Sequence, residues 1–146
     1  MWSSGNVTHP LDPLSAPEFQ AVAAALHREH AVTAEPTSSS ALGWRFASIE
    51  LKEPSKVDLV AFDADGTISN RRATVVCFDR SANATYRAVV SLSDDRVESF
   101  EHVPGVQANF TVDEFVECDQ VLRSHPDVVA ALAKRGITDQ IGRAHV

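Results

Sequence analysis

Six histidines, two cysteines, one tyrosine and a short acidic string are the residues of this 146-residue chain whose types and spacing could do chemistry. His27 and His30 stand one helical turn apart, a spacing at which two imidazoles can share a metal ion, but Arg28 and Glu29 between them mark a solvated helix end. His102 and His125 have no partners in sequence that would make a proton relay, and both read as structural. Cys77 lies in an apolar alternating run and Cys118 in a helical pattern, which fits two buried thiols better than a disulfide framework. The acidic string is Asp63-Ala64-Asp65-Gly66-Thr67, and as a polar Asp/Gly loop ahead of a strand it needs no chemistry at all.

The elements that must position these residues are legible from period and punctuation. Ser15-Ala16-Pro17-Glu18 is a capping box, in which the serine serves the first-turn amides and the glutamate returns the bond. It opens a helix over about residues 15–30 with Phe19, Val22, Ala23 and Leu26 on its apolar side. Thr37-Ser38-Ser39-Ser40 then forms a loop. Trp44–Leu51 alternates as a strand, Trp44, Phe46, Ser48 and Glu50 on one side and Arg45, Ala47, Ile49 and Leu51 on the other. Three more strands are expected at Ala73–Phe78, Thr85–Leu92 and Val97–Val103, joined by turns at 81–83 and 93–95, so that neighbours pair antiparallel. Trp44, Phe46 and Phe78 are expected on the core face of that sheet. Between the first two strands Pro54–Phe62 predicts a short helix capped by Ser55, with Val57, Val60 and Ala61 facing in.

Past Pro104-Gly105, Thr111-Val112-Asp113-Glu114-Phe115 repeats the cap, acid and aromatic of Ser15–Phe19 and starts a second helical unit. A further helix follows from Pro126 to Lys134, closed by Gly136. The fold class is therefore α+β: a helix on a four-stranded antiparallel sheet, followed by the helical start of a second similar unit.

Composition narrows the function. A formal charge of −7, with no basic cluster longer than Arg71-Arg72, argues against nucleic acid as a partner. No stretch approaches a membrane span, and the N-terminus lacks the pattern of a secretory signal, so a soluble, cytoplasmic protein is expected. The three sequons at Asn6, Asn83 and Asn109 are accordingly read as chance.

Six collinear segments carry a family resemblance. Leu11-Asp12-Pro13-Leu14 with its helix, Trp44-Arg45-Phe46 through Lys52-Glu53-Pro54, Arg71-Arg72-Ala73 and Ala84-Thr85-Tyr86-Arg87-Ala88-Val89-Val90-Ser91-Leu92 resemble the second N-terminal domain of copper amine oxidases in order and spacing. Val103-Pro104-Gly105-Val106-Gln107 and Phe110 through Asp139 resemble the junction and opening helices of that family's third domain. The resemblance implies a leader over 1–8, a cystatin-like second (N2-type) domain over 9–104 and a third (N3-type) domain over 105–139 cut short to its helices. Residues 140–146 are expected to be a non-native tail, since Ile141–Val146 back-translates to a common sequencing-adapter read.

For the parent enzyme the resemblance implies oxidative deamination of a primary amine to an aldehyde, with O2 reduced to peroxide. It also implies copper, topaquinone and a homodimer completed by the remainder of the polypeptide. The quinone forms from a tyrosine in an Asn-Tyr-Asp/Glu setting, whereas Tyr86 stands in Ala84-Thr85-Tyr86-Arg87; copper takes a His-x-His pair, which is missing here. The fragment is therefore expected to be non-catalytic, with no catalytic, cofactor-binding or metal-binding residue of its own. Phe115, at the start of the third domain, is a candidate for lining the amine channel, against core packing with Val112, Val116 and Leu122.

A second resemblance competes. Val57-Asp58-Leu59-Val60-Ala61-Phe62-Asp63-Ala64-Asp65-Gly66-Thr67-Ile68 is similar to the first motif of haloacid-dehalogenase-type phosphohydrolases. That likeness implies Asp63 as nucleophile on phosphorus and Asp65 as acid/base, both helping to hold Mg²⁺. The antiparallel hairpins that follow differ from the doubly wound fold such a motif needs.

Overall fold

The computed structural model describes residues 8–33, 43–68 and 70–137. The serine loop at 37–40, the end of the leader before Thr8 and the tail from 140 onward lie outside the described residues. The chain divides after Asn109 into two compact units.

In the first unit, helix α1 (Ala16–His30) precedes strand β1 (Trp44–Lys52), helix α2 (Lys56–Asp65) and strands β2 (Arg72–Asp79), β3 (Ala84–Ser91) and β4 (Arg96–Val103). The strands form one antiparallel sheet in the order β1-β2-β3-β4, a meander without crossovers; short turns require it from β2 to β4, and β1 pairs antiparallel with β2 across the longer connection that holds α2. Asn83 and Asp95 take left-handed φ values of 51° and 49° in the two tight turns, a conformation these short polar side chains tolerate. The α+β class expected from the sequence is the class observed.

One face of the sheet makes the core. Val22, Ala25 and Leu26 of α1 are fully buried against Ala73 and Val75 of β2 and Ala88 and Val90 of β3, with Val32 and Leu92 closing the edges. Burying each Val or Leu is worth about 1.5–3 kcal/mol, so this cluster is the main favourable term in the first unit.

Three details depart from simple alternation. A bulge between Phe46 and Ser48 inserts one residue into β1, so Trp44, Phe46 and Ile49 all pack on the core cluster instead of falling on opposite sides. Phe78 does not join them: Ala73, Val75 and Cys77 point inward, and period 2 then sends Phe78 to the reverse face, opposite Thr85 and half-buried. Helix α2 forms where expected, with Ser55 accepting from the Asp58 amide at 3.2 Å, but its orientation differs. Val57 and Val60 are 79% and 66% exposed, and the half-buried side carries Leu59 and Phe62, because apolar residues surround this helix and the (i, i+3) pair wins.

The second unit contains α3 (Val112–Ser124) and α4 (Pro126–Ala133). Gly136, at φ 76°, closes α4 as expected: its amide donates to the Ala133 carbonyl at 3.0 Å and the Ile137 amide reaches back to the Leu132 carbonyl at 3.1 Å, the paired bonds of a left-handed glycine cap. Neither helix has a buried residue, and Cys118, expected inside, is exposed because nothing among the described residues covers that side of α3. No helix among the described residues is long and apolar enough to cross a membrane.

Candidate functional site

The acidic string falls on and just after α2. Asp63 and Asp65 are both exposed helical residues, and positions two apart on a helix do not face each other, so the carboxylates diverge instead of converging on one ion. Asp65 is occupied locally: the Thr67 amide donates to its Oδ1 at 2.8 Å, and the hydrogen bonds from Thr67 hold its carboxyl below the ordinary range. Gly66, at φ 74°, turns the chain out of the helix. A nucleophile at the end of a parallel strand is a different arrangement.

The described histidines are dispersed. His9 sits edge-on to Phe62 with ring centroids 4.8 Å apart; His30 stacks on Phe100 at 4.1 Å; His102 lies 5.3 Å from Tyr86. His27 is exposed on α1 and His125 separates α3 from α4. Tyr86 stacks on Phe100 at 4.9 Å and meets Trp44 at 5.3 Å, the place of a packed sheet residue. Among the described residues no group of three or more His, Cys, Asp or Glu gathers to hold a metal, so this donor set does not fit a copper centre.

A cleft of about 240 Å³ opens at one end of the sheet between Phe78, Asn83, Thr85, His102 and the 105–107 segment. Thr85 spends its hydroxyl on the Val106 carbonyl at 2.7 Å, and His102 is the one titratable residue lining the cleft. Phe115 stands on the first turn of α3, 62% exposed, with the ring of Phe110 6.0 Å from it. Val112, Val116 and Leu122 are likewise exposed, so within the described residues Phe115 does not pack into a core with them.

The most elaborated polar site is one that reading along the sequence missed. Glu18 is the acid of the capping box, accepting from the Ser15 amide at 2.7 Å and the Ser15 hydroxyl at 2.9 Å. It is also buried against Arg71, whose Nε donates to Glu18 Oε1 at 2.5 Å. The same guanidinium donates to the backbone carbonyls of Pro10 at 3.1 Å, Asp12 at 2.6 Å and Pro13 at 3.0 Å. Burial alone would push the Glu18 carboxyl up, but the hydrogen bonds from Arg71 and Ser15 outweigh it and hold the group below the ordinary range. No local pattern pairs residue 18 with residue 71; the only hint is that an arginine at the mouth of a strand is the one side chain with enough donors for such a task. This is a structural clamp with no room or reactive group for a substrate.

Comparison with known proteins accounts for a site-poor domain. Residues 9–103 match the family described as copper amine oxidase, N2 domain. A primary amine oxidase from Arthrobacter sp. (strain P1) is 42% identical over 134 residues, covering 91% of this chain and 19% of the relative. A copper-containing diamine oxidase from Nicotiana tabacum is 30% identical over 162 residues, and a primary amine oxidase from Klebsiella aerogenes is 30% identical over 133, covering 20% and 16% of those proteins. The copper-containing benzylamine oxidase of Hansenula polymorpha shares the fold, with a TM-score of 0.69 at 21% identity over 86% of this chain and 19% of that one. The chain thus spans about a fifth of the length of the relatives it matches. With its helix-on-sheet core and family match over the same residues, this chain belongs to the copper amine oxidase family and carries the N2 domain.

Proposed function

We propose that this chain is a non-catalytic, structural part of a copper- and topaquinone-dependent primary amine oxidase, one that deaminates primary amines to aldehydes with O2 reduced to peroxide. The observation that carries the reading is the collinear family match over residues 9–103. In this reading copper and the quinone belong to residues elsewhere in the parent polypeptide, which works as a homodimer. Residues 105–139 are the opening helices of the third domain, and the exposed Phe115 is a candidate for the wall of the amine channel.

Two measurements test it. The purified chain, mixed with Cu²⁺ and dialysed, should retain no stoichiometric copper and develop no quinone absorbance; retention of one copper per chain would defeat the reading. Incubated with Mg²⁺ and p-nitrophenyl phosphate it should give no turnover, whereas turnover abolished by Asp63→Asn would make it a phosphohydrolase instead. Reading the genomic sequence downstream for an Asn-Tyr-Asp/Glu motif checks the parent enzyme directly.

A further inference from the structure

Residues Thr8–Leu14 fold back over the N-terminal end of α1 as a short strap with its own internal order. Asp12 Oδ2 accepts from the Thr8 amide at 2.9 Å, the Thr8 hydroxyl at 3.2 Å and the His9 amide at 2.8 Å. The Asp12 amide returns to the His9 carbonyl at 3.0 Å, and the Leu11 amide donates to His9 Nδ1 at 3.1 Å. Within seven residues these bonds close a turn, but so few bonds do not offset the cost of ordering the segment, so the turn persists only while it is docked.

The attachments of that turn to the rest of the unit are few. Among the described residues, every hydrogen bond that leaves the strap ends on the guanidinium of Arg71, through the carbonyls of Pro10, Asp12 and Pro13. Its apolar anchors are Pro10, which is buried, Leu14, which packs on the edge of the core, and the edge contact of His9 with Phe62. None of the fully buried residues of the core cluster belongs to the strap.

Arg71, by contrast, is fixed independently of the strap. Its Nε is held by Glu18 of α1, its carbonyl accepts from the Leu92 amide at 2.8 Å, and its own amide donates to Ser93 Oγ at 3.2 Å. The latch therefore stays with the helix and the sheet whether or not the strap is engaged.

We propose that Thr8–Leu14 is a strap whose polar latch is the single side chain of Arg71, able to lift away and lose its turn while the helix-on-sheet core remains folded. Local opening of this kind follows when a segment has few buried apolar contacts and its polar links converge on one group. A planar guanidinium can serve three carbonyls and a carboxylate together, whereas an ammonium with three donors cannot. The inference rests on the geometry of the first unit and is independent of the amine-oxidase reading.

Native-state hydrogen exchange on the whole 146-residue chain tests it. In the unmodified protein the Leu11 and Asp12 amides should exchange through an opening at least about 100-fold more frequent than that of the Ala88 and Val90 amides, and insensitive to low denaturant. In Arg71→Lys, which keeps the charge opposite Glu18, strap exchange should rise about tenfold or more relative to the β3 amides, for the carbonyl bonds lost. If the strap and β3 amides open together with one denaturant dependence, there is no separable strap and the proposal fails. It fails equally if Arg71→Lys folds and leaves the ratio of strap to core exchange unchanged. Should that variant not fold, the unmodified protein decides the matter alone.

Discussion

Helices α1 and α3 begin alike and end up in opposite circumstances. Each starts on a hydroxyl cap with a glutamate three residues on: Glu18 accepts from the Ser15 amide at 2.7 Å, and Glu114 from the Thr111 amide at 2.7 Å. Each then presents an apolar stripe at helical period. Yet α1 buries Val22, Ala25 and Leu26 completely, whereas α3 leaves Phe115 62%, Val121 61% and Leu122 48% exposed. Capping and periodicity decide that a helix exists; whether its stripe becomes a core is decided by a sheet, which the first unit has and the described residues of the second do not.

The largest way to sharpen that contrast is to neutralise the two equivalent acids. Glu18→Gln leaves the Arg71 guanidinium buried without its counter-charge and should cost about 3–5 kcal/mol in guanidinium denaturation. Glu114→Gln, at a partly exposed cap with no buried counter-charge among the described residues, should cost about 0.5 kcal/mol. Acid distinguishes them further. The Glu18 carboxyl is held below its ordinary value, so its contribution is fully present above about pH 4.5 and is lost as the pH falls through the depressed value. The gap in stability between the parent chain and Glu18→Gln should therefore narrow on titration from pH 6 toward pH 3. A gap that stays constant across that range would show the glutamate acting only as a cap, as in α3.

Truncating the stripes is the next test. Leu26→Ala removes a fully buried side chain and should lower stability by about 3 kcal/mol, read as a shift of the unfolding midpoint by tryptophan fluorescence. Leu122→Ala should stay within about 0.5 kcal/mol. Equal shifts would mean that α3 shares a core in solution, which would break the contrast.

What could be read along the chain, and what could not, divides on the same line. The two capping boxes, the four strands and the hairpin turns depend on neighbours within four residues, and they stand where period and punctuation put them. The bulge in β1 was illegible because Trp44-Arg45-Phe46-Ala47-Ser48-Ile49 alternates acceptably in either phase; the partner Cys77-Val76-Val75 selects the one that brings Trp44, Phe46 and Ile49 together. Phe78 was misplaced for the complementary reason, since an aromatic residue at a strand end says nothing about which face is covered. The Glu18–Arg71 pair joins residues 53 apart in sequence and required the fold itself to be known. For the acidic string the residue types were suggestive, but the phosphohydrolase motif it resembles sets its nucleophile at a strand end, and Asp63 lies on a helix.

The two cysteines give the smallest and most local version of the comparison, because they sit one in each unit. Cys77 on β2 is fully buried, and that burial, with the nearby Asp79 carboxylate adding to it, pushes its thiol up to about 12. At pH 8 only about one part in ten thousand would be thiolate, the form that reacts, and the sheet withholds even that from reagent. Cys118 on α3 is exposed. Under native conditions a thiol reagent such as DTNB should therefore consume one equivalent per chain within minutes, located to Cys118 by peptide mapping, and the second only after guanidinium is added. Slow labelling of Cys118 would show that α3 finds cover in solution. Rapid labelling of Cys77 would mean that the first unit opens far more often than a sealed helix-on-sheet core allows, because its reagent access is gated by opening of β2 between its two neighbours.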